Sequence, residues 1–302
     1  MGLKTILITG SNGLLGQTLV KKLKENQEIS VIATSKGENR IKQKSGYRYE
    51  EMDISDEEDV ETIFEKYQPD VVINTAAMTN VDACEEQKDA CRKLNIDAVE
   101  ILLKNCEKHD SHLIQLSTDF VFDGKDGPYD ELAVPNPISY YGESKYEAEE
   151  IIKNSSIPWS IVRTIIIYGL VDDMSRSNIV LWAKEALEKN QTLNIVNDQF
   201  RSPTYVGDLA DACISIAEQT ATGIFHISGK DIMSISDLVK RVAKFFQLDD
   251  STVKEISSDS LNQAAKRPLK TGFILTKAKK LVDYQPHSFE EGLELLNKQL
   301  NK

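Results

Sequence analysis

The sequence predicts an α/β fold built on a doubly wound parallel sheet, with a smaller C-terminal α/β region. Three observations predict it. Short apolar runs alternate with longer amphipathic stretches over the first half of the chain. The first run leads at once into Gly10, Gly13 and Gly16, three glycines at three-residue spacing. After about residue 165 the regular alternation gives way to helical stretches mixed with shorter strand-like pieces.

The strand candidates in the first half are TILITG, SVIAT, YRYEEMD, DVVINTAA, HLIQLST and WSIVRT, with helices expected over 14 to 26, 56 to 67, 88 to 108 and 139 to 154. Runs apolar throughout, such as TILIT and DVVIN, suit strands covered on both faces, and alternation with helices makes those strands parallel. Further on, TLNIV and GIFHIS read as strands and 176 to 189, 204 to 218, 234 to 247 and 288 to 300 as helices. Residues 1–168 are therefore assigned to a dinucleotide-binding domain and 169–302 mainly to a substrate-binding domain, some of whose segments could return to the first sheet. No Gly/Ser-rich linker, internal repeat or low-complexity tract separates them.

Composition excludes several classes. The chain has 302 residues, 40% hydrophobic and 28% charged, with a net charge of -12 from 36 basic and 48 acidic side chains. That balance repels nucleic-acid phosphates and anionic lipid, so neither is an expected partner. Cys84, Cys91, Cys106 and Cys213 form no CxxC pair and only four histidines are present, so they read as packed thiols rather than a zinc site or disulfide framework. The opening MGLKTILITGSNG holds a short apolar run without a cleavage region, and no later run approaches a membrane span; the cytoplasm is the expected location.

ITGSNGLLGQTLVKKL follows the first strand and opens the first helix, so Gly10, Ser11, Asn12, Gly13, Leu14, Leu15 and Gly16 make a phosphate loop. The glycines let the backbone turn, approach a pyrophosphate and pack the helix on the strand, and the helix N-terminus offers unpaired N–H groups to the anion. This is the Rossmann-type arrangement. NAD-preferring sites carry an acid at the end of strand two. Here IATSKGENR places Ser35, Lys36 and Arg40 there, which suits a 2′-phosphate, so NADPH is favoured over NADH. Asp53, followed by Ile54 after strand three, is placed near the adenine; as a helix N-cap it has an alternative role, for which Ser55 competes.

In SYYGESK, a helix puts Tyr141 and Lys145 four apart on one face and turns Tyr140 away from it. A tyrosine titrates near about 10, and an ammonium beside it is expected to lower that value. LIQLSTDFVFDG ends a strand in Ser117 and Thr118 at the carboxyl edge of the sheet, where such folds bind ligands, so the Thr118 hydroxyl is placed to hydrogen-bond a substrate carbonyl.

Taken together, Gly10/Gly13/Gly16, NTAA, Asn95, STDFVFDG, Tyr141/Lys145 and RTIIIYG resemble the extended short-chain dehydrogenase/reductase superfamily. Within it, YQPDVVINTAAMTNVDACE, STDFVFDGKDGPYDE, YYGESKYEAE and DQFRSPTYVGDLA are similar to the dTDP-4-dehydrorhamnose reductase family, over residues 5 to about 293. The resemblance implies that Tyr141 protonates the oxygen at sugar C4, that Lys145 tunes it and grips the nicotinamide ribose, that Thr118 orients the carbonyl and that Asn95 holds a proton-relay water. It places Ala76 and Ala77 along the cofactor and Arg163, Thr164 and Ile165 near the nicotinamide. It assigns Thr79, Val81, Asp82, Asp119 and Phe120, with Arg201, Pro203, Thr204, Arg267 and Pro268 of the second region, to the nucleotide-sugar substrate. Some family members bind Mg2+ at a subunit contact, but no carboxylate cluster here accepts that role; the oligomeric state, a homodimer included, stays open. Ile165 and Ile166 replace a polar and an aromatic residue common in the family, Arg201 a frequent glycine, and Ala148 the usual glycine before Glu149.

Three other functions compete. A 4,6-dehydratase needs an acid pair after the strand-five threonine, whereas Thr118 is followed by Asp119 and Phe120, so dehydration is disfavoured. An NAD-dependent epimerase uses the same tyrosine and lysine. The regulatory subunit of methionine adenosyltransferase resembles this family too and acts by binding; retention of Tyr141, Lys145 and Thr118 argues for an enzyme.

Overall fold

The computed structural model describes residues 3–174 and 177–301. Its strands are β1 (Lys4–Thr9), β2 (Ile29–Ser35), β3 (Arg48–Glu51), β4 (Val71–Asn74), β5 (His112–Thr118), β6 (Trp159–Thr164), β7 (Ile167–Tyr168), β8 (Leu193–Val196), β9 (Phe200–Arg201), β10 (Thr204–Tyr205), β11 (Gly223–Ile227), β12 (Met233–Ser234) and β13 (Val253–Ile256). Seven of them form one sheet in the order β11-β6-β5-β4-β1-β2-β3, and every neighbouring pair runs parallel. The order reverses between β1 and β4, the crevice at which doubly wound sheets bind ligands. Register aligns the ends there: Thr9 lies opposite Asn74 and Thr118 opposite Thr164.

The helices are α1 (Leu14–Leu23), α2 (Glu57–Tyr67), α3 (Val81–Glu86), α4 (Lys88–Arg92), α5 (Ala98–Lys108), α6 (Tyr140–Lys153), α7 (Ile179–Glu188), α8 (Val206–Gln219), α9 (Ile235–Phe246), α10 (Thr276–Leu281) and α11 (Phe289–Leu300). Alternate residues of each strand feed opposite faces of the sheet. Ile6, Ile8, Val31, Ile73 and Val162 join α1 and α8 in one core; Leu7, Ile32, Val72, Leu113 and Ile161 join α2, α5 and α6 in the other. The first core continues without a break into Leu193, Ile195, Leu238 and Leu293 of the second half. The two halves are therefore held by shared apolar burial rather than by a linker.

Most elements fall where the pattern places them, and the differences have local causes. The stretch expected as one helix over 88 to 108 is α4, a π-helical turn at Lys93–Asp97, and α5; π turns of this kind recur at functional sites. The expected helix from 204 begins at Val206 because Thr204 and Tyr205 pair with β7. Residue 176, the expected start of the next helix, lies outside the described residues, and α7 begins at Ile179 with Asn178 as its cap, Oδ1 accepting from the Leu181 N–H at 3.2 Å. Strand β11, from the second half, completes the edge of the large sheet beside β6, and β13 pairs with β8 outside it.

Candidate active site

The glycine loop has no room for side chains. Gly10 adopts φ +64, and a Cβ there would stand 2.8 Å from the Ala76 nitrogen; at Gly16 it would stand 2.4 Å from the Gly10 carbonyl oxygen. The loop therefore needs glycine at both places, one for a left-handed turn and one for close approach. Gly13 caps α1 with no side-chain hydrogen bond, and no acidic residue stands in the first turn. The unpaired N–H groups and the positive end of the helix dipole are left to an anion. Ser11 Oγ is buried without a hydrogen-bond partner among the described residues.

At the far end of the same crevice, Lys36 Nζ meets Asp53 Oδ2 at 2.8 Å. Asp53 Oδ1 accepts from the Ser55 N–H at 3.0 Å and its hydroxyl at 2.8 Å. Partial burial would raise the Asp53 carboxyl, but the bonds from Lys36 and Ser55 prevail and bring it down to about 2. Neither Asp53 nor Ser55 caps α2: that role falls to Asp56, whose Oδ1 accepts from the Glu58 and Asp59 N–H groups at 3.0 and 3.2 Å. The Ser55 hydroxyl is already committed to Asp53.

Tyr141 and Lys145 line the cleft from the first turns of α6, which starts after the Ser139 cap; the side chains are 8% and 3% exposed. Tyr141 packs edge-on against Phe120 with ring centroids 5.6 Å apart. Tyr140 points elsewhere, under the Lys88 ammonium at 5.0 Å. The Thr118 hydroxyl lies against Tyr141, donates to Asp119 Oδ1 and accepts from the Phe120 N–H, both at 3.2 Å. Burial drives both titrations: it pushes the Tyr141 phenol above its ordinary value, against the pull of Thr118, and lowers Lys145 to about 8 against the support of Glu149. The expected lowering of the tyrosine by its lysine is thus reversed, because desolvation outweighs it at this depth.

Several expected ligands are spent on the scaffold instead. Arg163 is fully buried and faces away from the cleft: Nε and Nη2 donate to Glu149 at 2.9 and 2.5 Å, Nη1 meets His226 Nε2 at 3.3 Å, and the guanidinium lies over Phe122. Alternation along β6 explains it, since Thr164 rather than Arg163 lines the cleft. Arg201 is also buried; it donates to the carbonyls of Phe200, Leu269 and Pro268 and stands 3.4 Å from Asp119 Oδ2. Thr204 is buried and bonds the Ile165 carbonyl at 2.6 Å, and Pro203 packs against Gly229. Asp82 and Arg267 pair with each other. The Asn95 side chain, in the π turn, accepts from the Met78 N–H at 2.8 Å and donates to the Met78 carbonyl at 3.0 Å and Ser144 Oγ at 3.1 Å. It ties the β4 loop to α6.

One cleft of about 850 Å³ joins these parts. It is lined by Gly10, Asn12, Gly13, Leu14 and Leu15; by Ser35, Lys36, Asp53 and Ile54; by Ala76, Ala77, Thr79 and Val81; and by Thr118, Asp119, Phe120, Tyr141 and Lys145. It also takes in Val171, Met174, Asn178 and Ile179 after β7, which the sequence did not single out, and Ile166, at φ +33, one of the two positions in RTIIIYG that depart from the family pattern. A β-branched residue in that region is strained, and nothing in the apolar pattern of RTIIIYG signals it. The remaining wall is anchored where Gln17 Nε2 donates to the Asp172 carbonyl at 2.7 Å and Lys21 Nζ pairs with the Asp172 carboxylate at 2.9 Å.

The model of the RmlD substrate binding domain matches residues 4–302. The chain belongs to that family. It lies within the extended short-chain dehydrogenase/reductase superfamily, and it is similar to relatives that carry different names. The dTDP-4-dehydrorhamnose reductase of Aggregatibacter actinomycetemcomitans is 31% identical over 301 residues, 96% of this chain and 97% of that one. The methionine adenosyltransferase 2 subunit beta of Bos taurus is 32% identical over 270 residues, 88% of this chain and 78% of that one. Among solved structures, a dTDP-4-dehydrorhamnose reductase from Clostridium acetobutylicum aligns with TM-score 0.85 at 30% identity, covering 99% of this chain and 100% of that one. The Bacillus anthracis enzyme of the same name, in complex with NADP, aligns with TM-score 0.84 at 27% identity, covering 98% and 99%. The residues of this RmlD-family cleft fit a nicotinamide nucleotide: a glycine cradle that a Cβ would fill, an uncapped helix N-terminus, and an orphaned Ser11 hydroxyl. Among the described residues no group of three or more His, Cys, Asp or Glu side chains is arranged for a metal ion, and no described helix is long and apolar enough to cross a membrane.

Proposed function

We propose that this chain, an NAD(P)-dependent oxidoreductase of the extended short-chain dehydrogenase/reductase superfamily, uses NADPH to reduce the C4 ketone of a nucleotide-activated deoxysugar, dTDP-4-dehydrorhamnose to dTDP-L-rhamnose. The observation that carries the reading is the convergence of Tyr141, Lys145 and Thr118 on the one cleft that also holds the glycine loop. The nicotinamide nucleotide, when bound, supplies hydride to the carbonyl carbon.

The protein's part is to hold the cofactor and move a proton. The α1 N-terminus and glycine loop take the pyrophosphate; Ser35, Lys36 and Arg40 take a 2′-phosphate, with Lys36 released from Asp53. Tyr141 Oη donates its proton to the sugar C4 oxygen, burial having raised the phenol above its ordinary value so that the proton stays in place until charge develops. Lys145, charged, stabilises the phenolate left behind and binds ribose hydroxyls. Thr118 fixes the carbonyl beside the phenol, and Asp119, Phe120, Thr79 and Val81 line the space for the sugar. Arg201 acts on the substrate only through Asp119.

Mixing the protein with NADPH and dTDP-4-dehydrorhamnose tests the reading: reduced-nicotinamide absorbance falls, and a flat trace with active control enzyme would sink it. NADPH outperforms NADH, and Lys36→Ala reduces that preference about tenfold through loss of a charge-assisted contact. The subunit-beta relatives support a second reading, a nucleotide-binding regulatory protein. It predicts NADPH binding without turnover and co-purification with a methionine adenosyltransferase catalytic chain.

A further inference from the structure

Lys145 is 3% exposed, and its ammonium makes no hydrogen bond or ion pair with a described residue. A buried ammonium of this kind needs a counter-charge or it releases its proton. The groups around it can be enumerated. From its own helix come Tyr141 one turn before and Glu149 one turn after. From α3 and α4 come Cys84 and Cys91, and burial pushes the Cys84 thiol up to about 12, keeping it neutral. Asp119, just past the end of β5, acts on Tyr141 and is engaged by Thr271 Oγ1 at 2.5 Å and by Arg201. That leaves Glu149.

Glu149 is itself completely buried and firmly held. Ser117 Oγ donates to its Oε1 at 2.5 Å, Arg163 Nε to the same oxygen at 2.9 Å, and Arg163 Nη2 to Oε2 at 2.5 Å. Behind Arg163 stands His226, whose Nδ1 bonds the Tyr129 carbonyl at 3.1 Å and which burial keeps neutral. The interior thus carries a row of alternating sign, Lys145, Glu149, Arg163, ending in a neutral imidazole. Two fully buried charges of opposite sign are an expensive way to build a core unless the field they create is used.

We infer that Glu149 is a positioning residue acting through Lys145: its carboxylate, clamped by Arg163 and Ser117, keeps the lysine charged in the cleft floor. Arg163 sets the strength of that support, since it draws part of the carboxylate's field away from the lysine. The consequence for turnover rests on the catalytic reading above; the effect on Lys145 itself does not.

The test is the titration of Lys145 in the cofactor-free protein, followed by NMR of 13Cε-lysine and assigned with Lys145→Met. In the parent the midpoint falls at about 8. Glu149→Gln removes the carboxylate that supports the lysine, leaves Arg163 without its partner, and lowers the midpoint by about 1 unit or more. Glu149→Gln with Arg163→Gln removes both charges, spares the fold an unpaired buried ion, and lowers it by less. Glu149→Asp keeps a midpoint near the parent's. An unchanged midpoint in Glu149→Gln and in the double variant overturns the inference; if the single variant does not fold, an unchanged midpoint in the double variant overturns it alone. A fall of equal size in single and double variants overturns the share given to Arg163. A shifted midpoint with an unshifted pH profile of turnover would count against the catalytic reading, not against this one.

Discussion

Asp82 and Arg267, separated by 185 positions, meet as a two-pronged ion pair, with Nη2 to Oδ2 at 2.6 Å and Nη1 to Oδ1 at 3.1 Å. The Ala265 N–H adds a third bond to Oδ1 at 3.0 Å. The pair joins the segment that carries Thr79 and Val81 into the cleft to the strand of chain that delivers Thr271 to Asp119.

Breaking this clasp should loosen the sugar end of the cleft without touching the proton donor. Asp82→Asn is expected to raise the KM for the nucleotide sugar while kcat changes little. Arg267 holds the Asp82 carboxyl below its ordinary value, so the pair's stabilisation is present above about pH 4 and is lost as pH falls further. Because both side chains are partly exposed, the stability loss at neutral pH is about 1 kcal/mol or less, read as a shift in urea midpoint.

Tyr141→Phe keeps the ring against Phe120 and removes only the hydroxyl that carries the proton. Turnover should drop by about 10² to 10⁴, while NADPH affinity, measured by calorimetry, stays close to the parent's. Tyr140→Phe should keep most of its activity, because that ring lies under Lys88 outside the cleft lining. Equal losses in the two variants would remove the distinction between the neighbouring tyrosines.

Lys145 gives the pH dependence a sign. Burial lowers it to about 8 from an ordinary 10.5, so the charged form that supports the phenolate is lost as pH rises through 8. The profile of kcat/KM in the free enzyme should therefore fall on its alkaline side near that value. Stability moves the other way: the unfolded chain holds this proton up to about 10.4, so between the two values raising pH favours the folded state. Urea midpoints across that window measure it, with Lys145→Met as the reference.

Gly16→Ala should cost the cofactor more than the fold. The added methyl meets the Gly10 carbonyl at 2.4 Å and the Ser11 Cα at 2.6 Å, both backbone atoms with nowhere to retreat. Overpacking of this kind destabilises by about 1–3 kcal/mol, and the displaced loop no longer presents its N–H groups. Loss of NADPH binding in a protein that retains a cooperative melt is the expected pair of results.

The parts of the site that were legible in the sequence are those fixed by spacing along one element. Gly10, Gly13 and Gly16 bracket a strand-to-helix turn, Tyr141 and Lys145 share a helix face, and Thr118 ends an apolar strand; each lines the cleft except Gly16, which packs beneath it. The parts that were not legible depend on which face of the sheet a side chain takes or on meetings across long separations. The resemblance places Arg163 beside Thr164 near the nicotinamide, yet one step along β6 puts it in the core. The resemblance assigns Arg201 and Arg267 to the substrate, but they are taken by Asp119 and Asp82, which lie 82 and 185 positions away in sequence. The break in the helix at Lys93–Asp97 leaves no mark in composition, since Leu94, Ile96 and Val99 continue an acceptable helical pattern.

Strand β11 supplies the outer edge of the large sheet from residues 223–227, and one apolar core runs from beneath β1 into the helices of the second half. A fragment ending at residue 168 would thus expose the hydrogen-bonding groups of β6 that β11 now pairs and strip α8 from α1, leaving a newly adhesive rim. The nucleotide-binding part of this protein is not a detachable module. Grafting it, dissecting it or expressing it alone should yield aggregate, and any engineered fusion has to carry the whole chain.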